Sequence, residues 1–182
     1  MKTLKKIGIG LLAVILLLVI VSFFLPSKSH VERSIVINAS DSVIFGKVNN
    51  LKNFVTWIPW TQKDLNAKME FFGPEQGVGQ GYTWNSEKRE VGKGKMTIVE
   101  SIPNQAVNME MEFDGMGKSG AAFTFAKEGE GTKVTWAMNS NNDEMPIVWR
   151  VPSKYMCLFM DDMVGPDFEK GLATLKSASE TH

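Results

Sequence analysis

VNMEMEFD, residues 107–114, alternates without a fault: Val107, Met109, Met111 and Phe113 on one side, Asn108, Glu110, Glu112 and Asp114 on the other. Successive side chains of an extended chain point to opposite faces, so this period of two predicts a strand with one dry face and one wet face. The pattern repeats in both directions along the chain. Upstream, Ala67, Met69 and Phe71 alternate with Lys68 and Glu70, Tyr82 and Trp84 follow Gly79 and Gly81, and Met96 and Ile98 alternate with Lys95 and Thr97. Downstream come Ala121, Phe123 and Phe125, then Val134, Trp136 and Met138 opposite Lys133, Thr135 and Asn139. Glycine and proline punctuate the breaks, at Gly73, Pro74, Gly92, Pro103 and Gly115 among others. Six such runs joined by short turns predict an antiparallel meander with one solvated face.

The dry face has to be covered by something. Met156, Met160, Met163 and Val164 fall at i, i+4, i+7 and i+8, and Phe168, Leu172 and Leu175 continue the stripe, which predicts a long C-terminal helix. Gly165 and Pro166 interrupt it, so two helical pieces or one kinked helix are expected, with Pro166 near the first turn of the second piece. Ahead of the meander, residues 31–37 (VERSIVI) read as a further strand. Two short helices should follow it: one around Val43, Ile44, Phe45 and Val48, the other over residues 51–57 and ending at Pro59. The fold class is therefore α+β, with seven antiparallel strands and a closing helix.

Residues 7–25, IGIGLLAVILLLVIVSFFL, contain no charge. At about 1.5 Å per residue such a helix spans about 28 Å, close to the hydrocarbon thickness of a bilayer. Lys2, Lys5 and Lys6 precede it, which by the positive-inside bias keeps that end cytoplasmic and puts the following domain on the outer side of the cell membrane. A cleaved signal peptide is the rival reading, but its apolar region is usually about 7–15 residues. The expected organisation is a cytoplasmic N-terminus at 1–6, a single-pass anchor at 7–25, a linker at 26–30 and one domain over 31–182.

Apolar residues make up 43% of the 182, which excludes a disordered chain. Beyond the three N-terminal lysines, 17 basic residues meet 20 acidic ones, so no basic face is available for nucleic acid. The single cysteine, Cys157, cannot close an internal disulfide. His30 and His182 lie at the two margins of the domain, so neither a transition-metal cluster nor a His-dependent triad can be assembled. Catalytic options shrink to carboxylates, lysines, hydroxyls and the two tyrosines, Tyr82 and Tyr155. No catalytic residue, metal site or cofactor is assigned. Neighbouring acids such as Asp161 and Asp162 point about 100° apart on a helix and read as a solvated face.

Spread along the chain are VERSIVINASDSVIFGKVNN (31–50), FVTWIPW (54–60), GVGQGYTWNSEKREVGKGKMTIVESIPNQAV (77–107), GTKVTWAM (131–138) and PDFEKGLATLKSASE (166–180). In that order they resemble the START-like helix-grip superfamily, specifically bacterial SRPBCC proteins of the polyketide cyclase/dehydrase and lipid transport group. The resemblance covers nearly everything after residue 30. It implies a sheet curved around the last helix, with a cavity for an apolar ligand. Members include lipid and hormone carriers, aromatic-polyketide cyclases and proteins of unknown role, so it implies no single reaction.

Two readings of the inner-face methionines stand side by side. Met69, Met96, Met109, Met111, Met138, Met156, Met160 and Met163 are either ordinary core or, with Trp84, Phe113, Phe123 and Trp136, the lining of a ligand cavity; thioethers suit both. Trp57, Trp60 and Trp149 are candidates for the cavity mouth, the last within an apolar loop at 145–149 that could serve as a lid. The functional expectation is a membrane-anchored carrier or sensor for an apolar small molecule or lipid. The alternatives are a cyclase/dehydrase-type enzyme with a hydrophobic substrate and a non-catalytic membrane interaction protein.

Overall fold

The computed structural model describes residues 2–115 and 117–180; His182 lies outside them. An apolar helix α1 (Lys2–Ser22) leads to strand β1 (Lys28–Ile37), then three short helices, α2 (Asp41–Val48), α3 (Leu51–Phe54) and α4 (Pro59–Lys63). Six strands follow: β2 (Lys68–Phe72), β3 (Gly81–Asn85), β4 (Lys93–Ile102), β5 (Ala106–Phe113), β6 (Gly117–Glu128) and β7 (Gly131–Asn141). Helices α5 (Ile147–Cys157) and α6 (Met160–Glu180) end the chain. The strands form one antiparallel sheet of order β1-β7-β6-β5-β4-β3-β2, so the meander is intact and the first strand closes against the last.

Local chemistry explains the turns and the bend. At the β4–β5 corner Pro103 precedes Asn104, which adopts φ 59°, and the Gln105 amide donates to the Ile102 carbonyl at 3.0 Å. Proline followed by a residue tolerant of positive φ is what a type II turn asks for. Within β4 the pairing shifts between Ile98 and Glu100, leaving Val99 bulged. Such a bulge bends the strand and sharpens its twist.

Helix α6 packs chiefly on β1, with further contacts to α4, α2 and β7. At the centre Trp136 of β7 is sandwiched. Its ring stacks on Phe168 of α6 (centroids 4.1 Å apart, planes at 6°) and on Phe123 of β6 (5.0 Å, 27°). Phe54 and Trp57 meet this stack edge-on. Gly171 lets α6 come this close: a Cβ there would lie 2.8 Å from the Trp136 ring and 3.1 Å from Pro59.

Several local expectations are revised. Pro59 opens a third short helix as its first residue, because the proline lacks only an amide that a first turn leaves unpaired anyway. The apolar stretch at 145–149 is no loop: Pro146 caps α5 and the chain turns helical from 147. The break between C-terminal helices falls at Leu158 and Phe159, whose amides make tight bonds to Tyr155 and Met156, while α6 runs unbroken through Gly165 and Pro166. Strand β1 starts at Lys28, inside the expected linker, because residues 28–30 pair with 139–141 of β7.

Candidate functional site

Partners opposite one another in an antiparallel pair share a face, so the register assigns the dry side of the sheet residue by residue. Met69 faces Trp84 across β2 and β3, Met96 faces Met111 across β4 and β5, and Phe113 lies opposite Gly94. Across β6 and β7, Phe123 faces Trp136 and Ala121 faces Met138. All of these look toward α6. Met96, Met109, Met111, Phe123 and Trp136 are buried, whereas Met69, Trp84, Phe113, Met138 and Met160 are half-buried against the core. Burial is thus complete at the level of Trp136 and partial at Met138 and Phe113.

A cross-strand row of aromatic rings walls the partly buried end. Phe71, Tyr82, Trp84 and Phe113 follow one another at centroid spacings of 5.7, 5.8 and 5.6 Å. Trp84 folds across Gly94, where any Cβ would meet its ring at 2.4 Å, and its indole N–H donates to the Val91 carbonyl at 3.1 Å. Burial pushes the Tyr82 hydroxyl pKa up, so Tyr82 stays protonated. Further along, the dry face turns polar: the Ser29 and Ser140 hydroxyls pair at 2.5 Å, with Ser119 opposite both Met111 and Ser140.

Three expected site residues sit elsewhere. Met156 and Met163 are exposed: the break at Leu158 and Phe159 takes Met156 out of phase with α6, while Met163, three residues after Met160 on α6 itself, falls outside its inward stripe. The inward stripe of α6 is Met160, Val164, Phe168, Leu172 and Leu175. Trp149, a mouth candidate, is exposed on α5. Trp57 is buried in the core, its N–H donating to the Lys47 carbonyl at 3.2 Å, so it is no mouth residue. Trp60 is half-buried, edge-on to Trp136 and Phe168.

The sequence reading missed a polar clamp at the same level. Arg33 projects from the dry face of β1 toward α6. It donates to both carboxylate oxygens of Asp161, at 2.8 and 2.9 Å, and through Nε to Glu169 at 2.8 Å. The guanidinium hydrogen bonds hold Asp161 below the usual carboxylate range, and the two acids raise Arg33 in return. Gly165 makes room, since a Cβ there would lie 2.2 Å from Arg33 Nη2. The signal was available: an arginine between Val31 and Ile35 in an alternating strand points inward, and an inward charge needs partners. Lys63 and Asp167 form a second tie, at 2.6 Å, between α4 and α6.

Two hollows lie on the opposite, solvated side of the sheet. The larger, about 900 Å³, is bordered by Lys28, His30, Asn108, Glu110, Lys118 and Asn139 over Gly120 and Ala122, and reaches Met109 between strands. The smaller, about 360 Å³, lies among Lys68, Thr83, Asn85, Lys93 and Asp114. Among the described residues no cluster of three or more His, Cys, Asp or Glu has metal-binding geometry.

No family model matches the sequence, and no curated protein matches it. Solved structures do match. The ginseng major latex-like protein 151 from Panax ginseng superposes with a TM-score of 0.56 at 14% identity, over 86% of this chain and 100% of that one. The Aha1 dimer from Colwellia psychrerythraea gives 0.54 at 18% identity, over 83% and 96%. The di-domain ARO/CYC StfQ from the steffimycin biosynthetic pathway gives 0.60 at 10% identity, over 84% of this chain and 51% of that one. The fold these structures share with the chain is the helix grip, a curved antiparallel sheet closed by a long C-terminal helix. At these identities the likeness is one of fold, and what the scaffold does here has to come from its own side chains.

Proposed function

We propose that this helix-grip domain is a membrane-tethered carrier or sensor that holds an apolar small molecule or lipid at the partly buried end of its grip. One observation carries the reading. Trp84, Phe113, Met138, Met160 and Val164 all face the concave side, and all are only half-buried. Apolar side chains left partly wet at the mouth of a concavity gain from an apolar guest. Each 200 Å² of surface so covered supplies about 5 kcal/mol before the cost of association. Thioethers among the rings let the lining adjust to guests of different shape. The ligand site is therefore expected at the Met111, Met138 and Phe113 end, with the Trp136 stack as its floor. The tether is α1: Thr3–Ser22 is long and apolar enough to cross a bilayer and is exposed over most of its length.

A cyclase-like reading would rest on Tyr82. Its protonated hydroxyl could donate to a substrate oxygen, but no general base is placed beside it among the described residues, so one half of a proton relay is lacking. The test is native mass spectrometry of the full chain released from a mild detergent. The expected result is an adduct of one apolar molecule, lost in Met138→Arg with the near-ultraviolet circular dichroism unchanged. Absence of any adduct, together with no saturable binding of an apolar fluorescent dye, would refute the carrier reading.

A further inference from the structure

The last turns of α1 lie against α5. The Tyr155 hydroxyl donates to the Leu18 carbonyl at 2.6 Å, and Ser22 at the end of α1 is buried. Beside this junction α5 and the corner into α6 present an apolar surface to solvent: Val148 (72% exposed), Trp149, Met156, Leu158, Phe159 (57%) and Met163. Phe23 and Phe24, just after the end of α1, are exposed as well, at 76% and 85%. Helix α5, IVWRVPSKYMC, carries Arg150 and Lys154 and no acid. An amphipathic helix of this composition suits the surface of a leaflet containing anionic lipid.

Depth supports the same occupant. Leu18 lies four residues before Ser22, where α1 ends, and seven before Leu25, where the apolar run ends. At about 1.5 Å per residue that is about 6–10 Å along a spanning helix. Interfacial helices bury their apolar side about 5–10 Å, and tyrosine and tryptophan favour that level. The hydrogen bond to Leu18 therefore ties Tyr155, and α5 with it, to the boundary between headgroups and acyl chains.

We propose that α5 and the Leu158–Phe159 corner lie in the surface of the leaflet beside α1, so that the bilayer covers this apolar face and the mouth of the grip opens onto lipid. This rests on the membrane-tether reading above. The mouth is at the correct end: β1 starts within six residues of α1, Val31 pairs with Met138, and the Asn142 amide at the end of β7 donates to the Ser27 carbonyl at 2.7 Å. An apolar guest would then pass between leaflet and grip without crossing water.

The test uses the full chain in vesicles of phosphatidylcholine and phosphatidylglycerol. In a Cys157→Ser background, one environment-sensitive fluorophore is placed by Phe159→Cys and, as reference, by Lys133→Cys on the solvated face. Val148→Cys is the second probe should the Phe159 position disturb the corner. The expected result is several-fold stronger quenching at 159 or 148 than at 133 by lipids carrying a shallow nitroxide, and weaker quenching by a deep one. Retention through alkaline extraction with equal quenching at 159, 148 and 133 overturns the docking and leaves the tether standing. Disulfide crosslinking between copies through 159, without lipid quenching, also overturns it and assigns the face to a second copy. Loss of the chain on alkaline extraction overturns the tether and the docking together.

Discussion

Removing the Phe168 ring probes whether the middle of the grip is solid. The side chain is 1% exposed, lies parallel to Trp136 at 4.1 Å and meets Trp60 edge-on at 6.1 Å. Phe168→Ala forfeits the transfer free energy of the ring, about 2–3 kcal/mol, and leaves a void that rigid neighbours cannot fill. Trp136 is pinned on its other face by Phe123, and α6 is tied to β1 by the Arg33 clamp, so little collapse is possible. The sum should be about 3–5 kcal/mol, the range for deleting a large buried ring. In a domain of this size each kcal/mol moves the melting temperature by about 2–4 °C, so the loss should be about 6–20 °C. The assay is a thermal melt of the full chain in detergent, followed by near-ultraviolet circular dichroism, where the stacked tryptophan signal should also fall. A loss below about 1 kcal/mol would refute the reasoning. It would mean that the Trp136 level is already loose, and that the ligand space extends through it.

Other outcomes follow from the same contacts. Gly94→Ala puts a Cβ 2.4 Å from the Trp84 ring and 2.6 Å from the Glu112 carbonyl, so the strand itself must shift; a cost of about 1–3 kcal/mol and a red-shifted tryptophan emission are expected in urea titrations. Asp161 is held below its ordinary value by the Arg33 hydrogen bonds, so its contribution is fully present above about pH 4 and is lost as pH falls through the lower, folded value. The melting temperature of Asp161→Asn should therefore lie below wild type at neutral pH and converge with it in strong acid; a gap that persists there would point to a packing effect instead. Glu180, lowered by the Asn38 amide and then by Lys176, should behave the same way in Glu180→Gln, with a smaller gap because it ties down only the last turn of α6.

The strand meander and the anchor-like helix were legible because each depends on a local rule. Alternation at 107–113 needs nothing but the pleat of an extended chain, and nineteen uncharged residues reach across a bilayer by length alone. The dry face of the sheet followed from the same periodicity, which is why Met96, Met109, Met111, Phe123 and Trp136 lie where the alternation puts them. Tertiary contacts decided what local rules leave open. Helical phase survives only while the helix is continuous, and the break at Leu158 and Phe159 turned Met156 outward. Burial of Trp57 depended on Phe54, Phe123 and Trp136 arriving from three other elements, and Arg33 found its acids 128 and 136 residues away. A strand or a helix is specified by neighbours along the chain, but which faces stay dry is settled by long-range packing. That packing left Met138 and Phe113 half-buried at one end of the grip, and Val148, Trp149 and Met156 of α5 exposed.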